Sequence, residues 1–279
     1  MAIDYAVKYS GQVEERFTAE SKSDLVVNQD YDFTGAKTVK AYNVSTSEMN
    51  DYSRSGSSRY GTANELDATT EEMTMTQDKS FTFTIDKMNN DETMGALEAG
   101  KALARQLREV AIPLVDTYRY GKIAENAGNT STKAITKENV YDEITSATEA
   151  LDEKKIPVVG RELIVTPKTY KFMKQSKDII LETEIGQEMR IKGVVAVYDG
   201  MNVIKLPSSY LPEGANFIIT HKLACIAPVK LAEYKVHDDP PGISGKLVEG
   251  RLYYDAFVLN NRKNAIFYHS TKAVEPAKA

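Results

Sequence analysis

A chain of 279 residues with 42% hydrophobic and 27% charged side chains has the composition of a soluble globular protein, long enough for one large domain or two ordinary ones. Its formal net charge of −5 gives no global attraction to nucleic acid or anionic membrane, and no apolar run is long enough for a bilayer span. The start, Met1-Ala-Ile-Asp-Tyr5, lacks the pattern of a signal peptide, and the single cysteine, Cys225, excludes an intramolecular disulfide framework, so folding in a reducing cytoplasm is expected.

Residues 1–35 are polar and weakly patterned, which predicts an extended arm with at most one short helix. A strand is predicted over Ala36–Thr46. The next stretch, SEMNDYSRSGSSRYGTAN, residues 47–64, is rich in Ser and Gly and nearly free of aliphatic residues. Such a stretch cannot bury enough surface to order itself and predicts a mobile loop tip. Beyond it, Met73-Thr-Met-Thr76 and Phe81-Thr-Phe-Thr-Ile85 alternate strictly, placing Phe81, Phe83 and Ile85 on one face of a strand. Two long strands around such a tip predict a protruding β-hairpin over residues 36–88. A two-stranded ribbon has little core of its own, so its apolar face is expected to rest on another copy of the chain.

From Asp91 to Asn126 the residues are helix formers, with Asp91 or Thr93 as N-cap and Gly128 just past the end. On a 3.6-residue wheel Leu103, Leu107, Val110 and Leu114 share one face, and Lys101, Arg105, Arg108 and Arg119 lie opposite. Pro113 should kink the helix. Over residues 98–122 five basic side chains stand against three acidic ones (Glu98, Glu109, Asp116), a local +2 on a chain of net −5. That stripe could face phosphates or an acidic neighbouring subunit, or be a solvated face with pairs such as Arg105–Glu109.

A second helix is predicted over Lys137–Lys154, capped by Thr136, with Val140, Ile144, Ala147 and Leu151 inward. Strands are predicted at Arg161–Val165, Val194–Val197, Val203–Leu206 and Phe217–Thr220. Thr166-Pro167 should open a short helix, Lys168–Gln175. Arg251–Leu259 and Ala265–His269 are predicted to pair across Asn260–Asn264.

Residues able to trade protons or bind metals are few. The histidines are His221, His237 and His269. His237-Asp238-Asp239 could hold a metal or act as a base, but a polar loop before Pro240-Pro241 explains it as well. His221 and Cys225 could form a nucleophile pair, but Cys225 sits in the apolar run Leu223–Pro228, where an inert thiol is expected. No Walker A loop, GxGxxG turn, G-x-S-x-G elbow or HExxH occurs, so no catalytic residue, cofactor or metal is expected.

Polar arm, hairpin, long kinked helix, mixed α/β region and late hairpin, in that order, resemble the tailed-bacteriophage major capsid protein fold, which herpesvirus floor domains and encapsulins share. Asn126-Ala-Gly128, Val165-Thr-Pro167 and Gly250-Arg-Leu-Tyr-Tyr-Asp255 are similar to capsid proteins of phages of Gram-positive bacteria. The resemblance covers essentially the whole chain. It implies an α+β fold with an N-terminal arm (1–35), an extended loop (36–88), a peripheral domain with a spine helix (89–157), an axial domain (158–236) and a return to the periphery with a C-terminal tail (237–279). It implies a structural protein rather than an enzyme, assembling with itself in pentamers and hexamers of an icosahedral shell around double-stranded DNA. The shell would form in the host bacterial cytoplasm and end in the virion, with no membrane. The hairpin begins too early to leave room for a cleaved assembly segment, so a separate scaffolding protein is expected, together with a portal. Phe81, Phe83, Ile85, Arg54 and Arg59 of the extended loop are the expected intersubunit contacts, and Lys101, Arg105, Arg108 and Arg119 the surface toward DNA or a neighbour. The alternatives are an encapsulin-type compartment and, in a different class, a soluble α/β enzyme.

Overall fold

The computed structural model describes residues 21–29, 38–44, 47, 49–63, 65, 68–92, 98–176, 179 and 193–272, and the chain divides into a small unit, Phe33–Met75, and a larger one, Met1–Asp32 with Thr76–Ala279. In the small unit β1 (Thr38–Val44) pairs antiparallel with β2 (Ala68–Thr74), Thr38 opposite Thr74 and Val44 opposite Ala68. Lys40 and Glu72, directly across the ladder, form a 2.8 Å ion pair. The predicted tip has local order of its own. The Ser53 N–H donates to the Arg59 carbonyl at 3.0 Å, and the Tyr52 and Tyr60 rings meet edge-to-face at 5.0 Å.

The larger unit opens with β3 (Gln77–Asp86) and a short helix, α1 (Lys87–Glu92). The predicted long helix comes in pieces: α2 (Ala99–Gln106), one π-helical turn (Leu107–Ala111) and α3 (Ile112–Glu125). Asp91 lies in α1, Thr93 falls outside the described residues, and Glu98 stands at the N-cap of α2. The π turn sets which face is buried. It inserts one residue, rotating all of α3 by roughly 100°. The buried series therefore runs Leu103, Leu107, Ala111, Val115, while Val110 and Leu114, predicted to be inward, are 49% and 44% exposed. Pro113 sits in the first turn of α3, directly after the π turn, where its missing N–H is accommodated.

Next in the chain are β4 (Asn129–Thr132) and α4 (Val140–Glu153), which starts three residues later than expected, with Asn139 rather than Thr136 at the N-cap position. The Asn139 side chain makes no cap bond and instead accepts from the Thr136 N–H at 2.8 Å. The predicted strand β5 (Arg161–Val165) is buried throughout, and Thr166 caps α5 (Pro167–Gln175) by accepting from the Thr169 N–H at 3.3 Å. Then come β6 (Val194–Tyr198), β7 (Met201–Lys205), β8 (Ala215–His221), β9 (Cys225–Ile226), β10 (Val229–Asp238), β11 (Gly245–Tyr254), β12 (Phe257–Val258) and β13 (Ile266–Ser270).

A six-stranded sheet, β4-β13-β8-β5-β7-β6, carries α4 and α5 on one face through Val140, Ile144, Leu151, Tyr170 and Met173. On the other face it holds Tyr120 and Ile123 of α3, with Val26 and Val27 of the N-terminal segment. A three-stranded sheet, β10-β11-β3, covers α2, the π turn and the start of α3 through Tyr234, Val248, Leu252 and Ile85. The late hairpin does not form. Residues 260–265 are a 3₁₀ helix, and β13 joins β4 and β8 while β11 pairs with β10 and β3. Two apolar strands close in sequence carry no record of which sheet each will complete.

Two glycines of the similarity motifs are explained by close approach. A Cβ at Gly128 would meet the Lys263 backbone at 2.7 Å, and one at Gly250 would meet the Phe81 ring at 2.4 Å.

Candidate assembly surfaces

The ribbon tip is the most exposed described segment. Residues 49–63 are all exposed, with Met49 at 98% and Tyr60 at 84%, and Arg54 and Arg59 lie among them. Exposed apolar groups held in a defined turn are what a docking element needs.

Phe81, Phe83 and Ile85 are not part of that element. β3 leaves the ribbon and pairs along its length with β11, Gly250 opposite Phe81 and Lys246 opposite Ile85. Ile85 is buried, and Phe81 and Phe83 pack on the cluster beneath, Phe81 lying 6.1 Å from the Tyr234 ring. The expectation that these side chains need a neighbouring subunit is corrected here. It assumed a two-stranded partner, whereas β10 and β11, distant in sequence, supply the missing surface.

The basic stripe also divides. Lys101 pairs with Glu98 at 3.0 Å, and Arg105 pairs with Glu109 at 3.0 Å, both largely exposed; Arg108 is exposed beside them. Arg119 does not belong to the stripe. Its side chain is 0% exposed, donating to Asp24 at 2.9 Å and to the Ser23 hydroxyl at 2.8 Å. The π turn rotates it inward. One turn back, Asp116 accepts from the Ser21 and Ser23 hydroxyls at 2.7 and 2.6 Å and from the Lys22 N–H at 3.0 Å. Burial pushes the Asp24 carboxyl up, against the opposing pull of Arg119. Together with the Tyr120 hydroxyl, which donates to the Lys22 carbonyl at 2.7 Å, these bonds seat residues 21–24 on the chain's own spine. Asn28 then bridges Cys225 and Ala227 through its backbone. This part of the expected arm is thus an internal element; residues 1–20 and 30–35 lie outside those described.

Asp255 is a second junction that sequence reasoning missed. It accepts from the Thr76 N–H at 2.8 Å and hydroxyl at 3.0 Å, and from the Tyr118 hydroxyl at 2.7 Å, tying the start of β3 to α3. Glu162 is another. In the middle of β5, it accepts from the Asn202 amide at 3.0 Å through one oxygen, while the other is buried without a partner. Desolvation pushes its carboxyl up to about 7, opposed by the Asn202 hydrogen bond and the Lys222 charge. The signal was a carboxylate leading into the apolar run Leu163-Ile-Val165.

The residues weighed for catalysis find structural uses. Cys225 is fully buried, and desolvation pushes its thiol up to about 12, so the nucleophilic thiolate does not form near neutral pH. His221 Nε2–H donates to the Val159 carbonyl at 3.0 Å, while Nδ1 accepts from the Leu223 N–H at 3.2 Å, leaving neither nitrogen for Cys225. His237 lies 3.2 Å from Glu249 on the exposed side of β10 and β11, not beside Asp238 and Asp239 as a ligand set. His269 is buried against Phe217, 3.4 Å from Glu143, and desolvation lowers its pKa. Among the described residues no group of three or more His, Cys, Asp or Glu could hold a metal, and no helix is long and apolar enough to cross a membrane.

No family profile matches the sequence, and no curated protein does either. Solved structures match nearly the whole fold. A chain of Mycobacterium phage Che8 superimposes with a TM-score of 0.70 at 18% identity, covering 90% of this chain and 91% of that one. The capsid of cyanophage P-SCSP1u gives 0.68 at 16% identity, covering 89% and 86%. The virus-like particle of Pyrococcus furiosus gives 0.58 at 11% identity, covering 96% and 100%. The fold is the α+β fold of phage capsid proteins.

Proposed function

We propose that this chain is the major capsid subunit of a tailed bacteriophage, building an icosahedral head around double-stranded DNA by association with copies of itself. The observation that carries the reading is the end-to-end likeness to a solved phage capsid chain, that of cyanophage P-SCSP1u, over 89% of this chain and 86% of that one. In this reading 89–157 with 237–279 form the peripheral domain, 158–236 the axial domain, and copies meet as pentamers and hexamers. The ribbon is the clasp: its exposed Met49, Tyr52 and Tyr60 match the exposed Val110 and Leu114 that the π turn leaves on the spine of another copy. Lys101, Arg105 and Arg108 form the exposed basic stripe of the spine, where phosphate or a neighbour's carboxylates would compete with Glu98 and Glu109 by weak non-specific contact. A separate scaffolding protein and a portal complete the assembly, which proceeds in the host bacterial cytoplasm and ends in the virion. Enzymatic action has no support in the buried Cys225 or the tethered His221.

Negative-stain electron microscopy and size-exclusion chromatography of the purified protein test this. Capsomers or megadalton shells are expected; a stable small oligomer under all assembly conditions refutes it. The Pyrococcus virus-like particle favours one second reading, a compartment shell without a genome. Particles isolated from the native host decide between them by holding either packaged DNA or protein cargo.

A further inference from the structure

Away from the ribbon and the spine, exposed aliphatic side chains gather where loops of the six-stranded sheet meet. Val158 and Val159, the latter 86% exposed, lie beyond the end of α4, and Leu223, 48% exposed, lies just past β8. The two loops are built together. Buried His221 holds the Val159 carbonyl through Nε2–H at 3.0 Å and takes the Leu223 N–H on Nδ1 at 3.2 Å. The Lys222 N–H donates to the Gly160 carbonyl at 2.9 Å, and a third loop joins through Arg262, which donates to the Leu223 carbonyl at 2.6 Å. Lys155, at the entry to the first loop, is held in the left-handed region with φ 56°. It closes α4 as a Schellman cap, the Lys155 N–H donating to the Asp152 carbonyl at 2.8 Å and the Ile156 N–H to the Leu151 carbonyl at 3.1 Å, and so fixes where the first loop leaves the helix.

The charge around this patch is one-sided. Lys155 and Lys222 stand on the two loops and Arg262 reaches the Leu223 carbonyl, while the Lys154 ammonium is held by the side chains of Asn129 and Asn264. Of the carboxylates on the same loops, Asp152 is taken up by Arg161 at 2.6 Å, leaving Glu153 and Asp199. An aliphatic surface with a cationic rim selects its occupant. A second copy meeting the patch about a two-fold would set lysine against lysine. A nucleic acid would meet the cations through its phosphates and leave Val158, Val159 and Leu223 without an apolar partner.

We propose that Val158, Val159 and Leu223 form a docking site for an acidic amphipathic segment of a different protein, its aliphatic residues on the valines and its carboxylates against the surrounding cations. The inference stands apart from the shell-building reading and does not depend on it.

The test uses the full-length unassembled subunit and fluorescence anisotropy of a labelled peptide of about five helical turns, leucine on one face and glutamate elsewhere. The glutamate peptide should bind, more weakly at high salt. Val159→Asp, Leu223→Ser and Lys222→Glu, all at exposed positions, should each weaken binding by about tenfold with unchanged circular dichroism. The proposal is overturned if the glutamate peptide does not bind, if the variants bind it like wild type, or if a peptide with lysine in place of glutamate binds as well. It is equally overturned if an oligonucleotide displaces the peptide, or if the variants change the oligomeric state, which would make the patch a contact between copies.

Discussion

Replacing Glu162 by glutamine should change the pH dependence of stability in one direction only. The carboxyl titrates at about 7 in the fold and near 4.5 when the chain is unfolded. The folded state therefore prefers the protonated form. Its contribution is complete below about pH 4.5 and is lost as pH rises through 7, because the unfolded chain ionises freely while the folded one must ionise a group with a buried, unpartnered oxygen. Between pH 5 and pH 8 the two titrations differ by roughly 2–3 kcal/mol. Glutamine keeps the acceptor for Asn202 and has no proton to lose. Urea unfolding of the unassembled subunits at several pH values should show wild type falling behind Glu162→Gln by about that amount at pH 8, with the two close below pH 5. Parallel stability curves would refute the reasoning and mean that water or Lys222 already solvates the carboxylate.

Arg119→Met should cost roughly 3–5 kcal/mol, since it leaves Asp24 buried without its cation. Adding Asp24→Asn should recover part of that loss, both read as shifts in the urea midpoint. Gly250→Ala should cost roughly 1–3 kcal/mol by driving a methyl into the Phe81 ring, and Phe81→Leu in the same chain should relieve it, a non-additivity that thermal unfolding of the four proteins reveals. Trypsin should cut free subunits first at Arg54 and Arg59 and cut assembled shells there much more slowly. Replacing residues 49–63 by Asn-Gly should leave the unfolding midpoint unchanged and abolish shells seen by electron microscopy; normal shells would remove the ribbon from the assembly mechanism.

The sequence was most informative where a signal is local. The period-two alternation at Phe81–Ile85, the cap Thr166-Pro167 and the apolar spacing of Val140–Leu151 each specify an element from neighbours alone, and each element is present. Partnerships across the chain were not legible. Nothing near Phe81 says that β11, some 165 residues later, will lie beside it rather than β1. The surface charge of Arg119 was misread for a different reason, because the wheel assumes an uninterrupted 3.6-residue repeat and the π turn breaks it. Asp24 stands in a polar stretch, Ser21-Lys-Ser-Asp24, where a solvated carboxylate and a buried junction look alike. Asp116 after Leu114-Val115 and Asp255 between Tyr254 and Ala256 are single carboxylates among apolar neighbours, and nothing near them in sequence names their partners. Glu162 was visible in principle, since a carboxylate leading into an apolar run such as Leu163-Ile-Val165 must either be paired or be neutral.

The π turn at Leu107–Ala111 makes the spine two amphipathic helices whose facings are set independently. Deleting a single residue there would let the turn close into an ordinary α-helix and keep the hydrogen-bonded rod intact. It would also swing everything beyond it by roughly 100°, taking Arg119 away from Asp24 and bringing Val110 and Leu114 off the surface. A lineage could thus gain or lose the exposed apolar pair, and with it a contact between copies, by a three-nucleotide change that no single substitution can imitate. The compensating change would have to arise in residues 21–24, nearly a hundred positions upstream.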